Sequence, residues 1–140
     1  MAQADGGDLS SPAQRIKEFL DWAVECEKVY REAFEAVHQE DLRLQDLVHE
    51  LEFAANKAER NRVATRLQRS RKQRRKNKDI VKRYELVVNF LAEQGTKATL
   101  KKMRQLLGKQ RTEEDYLAGE RVYKPRAGKE GEKVGGEKGR

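Results

Sequence analysis

From Ile16 onward, apolar residues return at alternating steps of three and four: Phe19, Ala23, Cys26, Tyr30, Ala33 and Val37, then Leu44, Leu47, Leu51, Ala54 and Ala58. One position in this register, Glu40, is polar where an apolar side chain is due. The spacing is that of a helix with a seam turned to a neighbour. Leu20, Phe34 and Val48 widen the seam on one side and Trp22, Val29 and Ala36 on the other, so more than one neighbouring helix is expected. No Gly or Pro interrupts the 82 residues from Ala13 to Gln94, a run that only mostly helical chains sustain. Ser10, Ser11 and Pro12 supply an N-cap and a first-turn proline at its start. Residues 38–41 read either as a polar patch on one continuous helix or as a tight turn capped by Asp41.

The seam thins to Val63 and Leu67, passes through Ser70, Arg74 and Asn77, and recovers with Val81, Tyr84, Val88 and Leu91. The helix is therefore expected to leave the core there, either continuing or kinking between Asn77 and Asp79. Gly95 reads as the end of that helix, Thr96 as a restart, and Lys97 to Leu107 as a short helix closed by Gly108, with Leu100, Met103, Leu106 and Leu107 buried. Beyond Lys109 the pattern gives only a turn of helix at 113–117 and an extended 121–126 set by Pro125. The predicted fold is all-α: long heptad-bearing helices in a hairpin or small bundle, or a coiled-coil dimer through the same seam, with disordered termini. Its units are 1–10, 11–56, 57–83, 84–108, 109–126 and 127–140.

Charge changes this picture in one place. Thirteen of the 27 residues from Lys57 to Arg83 are Lys or Arg and only Glu59 and Asp79 oppose them, a net charge of +11 in a chain whose total is +7. Residues 1–56 hold five basic and thirteen acidic side chains. A cationic rod of ~27 residues, roughly 40 Å long at ~1.5 Å per residue, suits a polyanion. Asn61, Arg62, Arg66, Gln68, Arg69, Arg71, Lys72, Arg74, Arg75, Lys76 and Lys78 are the candidate nucleic-acid contacts, the cations for phosphate or groove and Asn61 or Gln68 for base edges. A solvated helix that merely pairs with the acidic half is the plainer alternative. The N-terminal seam, through Ile16, Phe19, Leu20, Leu44, Leu47 and Leu51, is the candidate partner interface.

Catalytic chemistry is not expected. His38 and His49 lie eleven residues apart, about three turns on one helix, too far to share a metal. No nucleophile set, Gly-rich phosphate loop or spaced metal ligands appears, so no enzyme, cofactor or small-molecule ligand is predicted. Lone Cys26 fits a reducing compartment, and no apolar run is long enough to span a membrane.

Several segments resemble known patterns. NRVATRLQR resembles the basic region of leucine-zipper factors through Asn61, Ala64, Arg66 and Arg69, but Thr65 and Gln68 depart from it, and Lys78, Glu85, Ala92 and Thr99 stand where its leucines fall. The same residues resemble arginine-rich RNA-binding helices, a pattern easier to satisfy, which places RNA slightly ahead of DNA. LAEQGTKATLKKMRQLL resembles a DNA-reading helix-turn-helix with one residue missing between Ala92 and Gly95. RIKEFLDW, ERNRVATRLQRSRKQRRKNKD, MRQLLGKQR and ERVYKPR together resemble small uncharacterised phage and prophage proteins of gut Firmicutes. That resemblance implies the cytoplasm of a bacterial host and one of three roles: management of phage nucleic acid, regulation of transcription, or obstruction of a host nucleoprotein complex. Tyr116, Tyr123 and YKPR read equally as a docking peptide or as a strap over the helices.

Overall fold

A computed structural model of the chain describes residues 11–120 and 122–127. The first helix, α1 (Pro12–Glu52), opens as its residue types dictate. Ser11 is extended, its hydroxyl oxygen accepts the Gln14 N–H at 3.0 Å, and Pro12 sits in the first turn, where a missing N–H costs nothing. Helix α1 passes through His38–Asp41 without a turn. The termini expected to be disordered, 1–10 and nearly all of 127–140, lie outside the described residues.

Phe53 ends α1, and a four-residue turn, 53–56, reverses the chain. Asn56 accepts the Glu59 N–H at 2.9 Å while the Glu59 carboxylate accepts the Ala55 N–H at 2.8 Å, a reciprocal cap that starts α2 (Lys57–Leu91). The heptad register had been expected to continue through Ala54 and Ala58. Capping of the free N–H groups by Asn56 and Glu59 stabilises a new helix start instead. Helix α2 runs unbroken through Asn77–Asp79.

The chain next bends at Ala92 and Glu93, and α3 (Gln94–Ala118) begins with Gly95 already inside its first turn. Gly95 was expected to end a helix and Gly108 to close a short one. The structure differs at both, because neither glycine adopts the left-handed backbone that such ends require and Glu93, in an extended conformation, makes the break. Segment 109–118, expected to be extended or weakly helical, completes α3. A Cβ at Gly95 or Gly108 would meet no atom within 4 Å. Gly95→Ala and Gly108→Ala should therefore each raise stability by about 0.5–1 kcal/mol in urea unfolding.

Side-chain pairs give the topology. Glu50 meets Arg66, Asp41 meets Arg74, and Ser11 meets Glu114, so partner numbers rise as α1 numbers fall. Helix α1 is thus antiparallel first to α2 and then to α3, in an all-helical hairpin whose returning arm is broken once. The basic segment was expected to stand clear of the core while α1 packed on the helices after Asp79. Instead the chain doubles back after 53–56 with Val63 and Ser70 packed onto α1, and both are buried. The core is lined by small residues, Ala13, Ala23, Cys26 and Ala33, with Leu47 and Val63. Burial, followed by the Glu25 charge, pushes the Cys26 thiol up.

Candidate nucleic-acid interface

Among the described residues two polar side chains, Glu40 and Ser70, are buried, and they face each other. Ser70 donates its hydroxyl to Glu40 at 2.6 Å, and Arg43 donates to the other Glu40 oxygen at 2.5 Å. The Ser70 hydrogen bond, with help from Arg43, holds the Glu40 carboxyl below its ordinary range even though burial opposes this. Arg74, one turn on from Ser70, donates to Asp41 at 2.5 Å, and Arg66 donates to Glu50 at 2.8 Å. The acidic helix thus takes up two of the candidate cations, Arg66 and Arg74, and leaves most of the others.

Of the thirteen Lys and Arg residues between Lys57 and Arg83, Arg66, Arg74 and Lys82 make ion pairs, leaving ten without one among the described residues. Arg62, Arg69, Lys72, Arg75, Lys76 and Lys78 are exposed, as are Asn61 and Gln68, and Arg71 is half-buried. The buried positions Val63 and Ser70 fix which side of α2 faces α1. At ~100° per residue, Asn61, Gln68 and Lys72 then lie on the outermost line of the helix, and the unpaired cations spread over roughly half of its circumference. From Asn61 to Lys78 the surface is ~26 Å long. Arg71, Arg74, Arg75 and Lys78, with Asp79, border a shallow depression on one flank.

This arrangement offers dense positive charge and two amides in solvent, on a rigid support. It suits phosphate contact along a backbone more than the reading of bases from one narrow line.

Of the residues proposed for a partner interface, Leu47 is fully buried against α2 and is withdrawn from it, because the seam it belongs to is occupied within the chain. Ile16, Leu20, Leu44 and Leu51 are half-buried for the same reason. Phe19 stays 40% exposed beside Trp22 at 48%, their ring centroids 5.9 Å apart.

Sequence reasoning missed the contact that ties α3 to α1. Ser11 donates its hydroxyl to Glu114, which also accepts the Ala13 N–H at 2.9 Å and the Gln110 amide at 3.0 Å. The Ser11 hydroxyl, then the Ala13 N–H and Gln110, hold the Glu114 carboxyl below its ordinary range. A carboxylate supplied from α3 thereby caps the α1 N-terminus, and no spacing within either segment announces such a pairing. Ser11→Ala should cost about 1 kcal/mol in thermal unfolding, as a lost N-cap does.

Among the described residues no helix is long and apolar enough to cross a membrane, and no three His, Cys, Asp or Glu side chains gather as metal ligands would. No protein-family model matches the chain, and neither the curated proteins nor the solved structures contain a match.

Proposed function

We propose that the protein is a non-enzymatic nucleic-acid-associating accessory protein that grips RNA, ahead of DNA, along the outer surface of α2. The observation that carries this reading is the set of ten cations in α2 that have no ion pair among the described residues, the acidic helix α1 taking up only Arg66 and Arg74. Like charge at this density raises the free energy of the isolated chain, and a polyphosphate lowers it by releasing counterions. Arg62, Arg69, Lys72, Arg75, Lys76 and Lys78 contact phosphate, with Arg71 at the edge and Asn61 and Gln68 near bases. Regulation of a nucleoprotein complex in a bacterial cytoplasm is the setting that the phage-protein resemblance suggests.

The test is fluorescence anisotropy with a single-stranded RNA and a DNA duplex over a salt series. For about six phosphate contacts, affinity should fall on the order of a thousandfold for duplex, and a few hundredfold for single strands, between ~50 and ~200 mM salt. Binding that is weak throughout and flat with salt would reject the reading.

A second reading has its own support. The exposed Phe19 and Trp22 pair suits a protein interface, in a homodimer or with another chain. Under that reading α2 is only a solvated flank. Sedimentation across a concentration series, with wild type and Trp22→Ser, distinguishes the two: a mass that never rises with concentration removes the homodimer.

A further inference from the structure

Helices α1 and α3 meet only loosely, and beside their contact runs an open groove of about 870 Å³. Its floor is apolar, made by Leu20 and Val24 of α1, Val88 and Leu91 of α2, and Leu100 and Leu107 of α3. Val24 is 68% exposed on it, and no residue of α3 is fully buried.

The charge left unpaired on the rim among the described residues is positive. Its two carboxylates are already engaged, Asp21 by Lys17 at 2.6 Å and Glu27 by Arg31 at 3.4 Å. Lys97, Lys101, Arg104 and Arg111 line the same groove, are exposed, and have no ion-pair partner among the described residues. Steps of four, three and seven keep these four side chains on one edge of α3, over ~21 Å from first to last.

We infer that this groove is a docking site for an acidic amphipathic helix of a partner protein, about four turns long. Its leucine-like face covers the floor and its carboxylates, three or four residues apart, meet the α3 cations. Nucleic acid is the poorer occupant, because six aliphatic side chains offer nothing to phosphates or base edges. The site is separate from the outer face of α2 and stands or falls without the nucleic-acid reading. Apolar anchors within a charged rim are the usual anatomy of a helix seated in a groove.

The test uses the full chain and three labelled 16-residue helical peptides. One carries leucines at i, i+3, i+7 and i+10 flanked by glutamates, the second the same leucines flanked by lysines, and the third serines in place of leucine flanked by glutamates. In anisotropy the Leu/Glu peptide should bind, and each of the other two should bind at least roughly tenfold more weakly. Lys101→Glu with Arg104→Glu, and separately Val24→Glu, should each weaken the Leu/Glu peptide by roughly tenfold or more while leaving the thermal midpoint and the RNA affinity near wild type. All of these positions are exposed, so the fold is spared. The inference is overturned if the Leu/Glu peptide fails to bind, if the serine or lysine peptide binds as well, or if the rim variants lose RNA in step with peptide. That last outcome would make the groove part of the nucleic-acid surface.

Discussion

Reversing Arg69, Lys72, Arg75 and Lys76 to Glu should lower RNA affinity by on the order of a hundredfold or more near 100 mM salt and cut the slope of log affinity against log salt by more than half. Each lost phosphate contact removes roughly 0.7 of a unit of that slope on a single strand, and four of about six would go. All four side chains are exposed and none makes an ion pair among the described residues, so the unfolding midpoint should hold or rise as self-repulsion eases. Arg74→Glu is the informative contrast. Arg74 is held at 2.5 Å from Asp41 with its side chain only 25% exposed, so reversal there places two carboxylates together and strains the hairpin. A charge-reversal set that included Arg74 would mix the loss of a ligand with the loss of the fold. If the four-residue variant binds RNA as wild type does, α2 is not the contact surface.

Ser70→Asp should destabilise the protein by roughly 3–5 kcal/mol at neutral pH, the cost of an uncompensated buried charge. Glu40 and Ser70 are 7% and 5% exposed, and a second carboxylate would have to occupy the place of a hydroxyl that now donates to the first. The pH dependence reverses with it. In the wild type the Glu40 carboxyl is held below its ordinary range, so its contribution is complete above the unfolded value and is lost as pH falls through the folded one. In the variant, one of the paired carboxyls is held protonated above its ordinary range. The destabilisation is then greatest near neutrality and shrinks as pH falls toward ~4, where the unfolded chain begins to take up the proton that the folded pair already holds. Glu40→Gln in the same chain should restore most of the loss, because the amide can donate to Asp at position 70. Urea unfolding between pH 4 and 8 reads both effects, and a loss below ~1 kcal/mol with no rescue would mean that the two positions do not face each other in solution.

These two experiments bear on features that were unequally legible in the sequence. The helical class was plain from the glycine-free run and the three-four spacing, and the α1 start from Ser11 and Pro12. Glu40 and Ser70 were each visible as a break in a seam, but each looked like a local defect. A single helix pattern cannot say that two polar breaks thirty residues apart will satisfy each other. The reversal at 53–56 was hidden by its composition, since it uses no Gly or Pro. Its signal was Asn56 with Glu59, a capping pair set inside an apolar register that ran on regardless. Gly95 and Gly108 misled in the opposite way, because a helix tolerates a glycine at modest cost and their presence alone did not mark an end. In the candidate interface, composition identified the cationic stretch. Only the packing of Val63 and Ser70 against α1 shows which side of it faces solvent, and only Asp41 and Glu50 show which cations are spoken for.

The alignment of the two long helices is set near mid-length, by a buried carboxylate and hydroxyl, and not by the hinge that joins them. Sliding α2 by one heptad would leave Glu40 opposite Val63 or Asn77 and strand its charge, so lengthening the 53–56 connection with glycine and serine should leave the pairing intact at a small, logarithmic entropic cost. The same independence has a less benign side. Two molecules that exchange returning arms would recreate every one of these contacts, Glu40 of one with Ser70 of the other, so concentrated refolding is the condition under which an arm-exchanged dimer should first be seen.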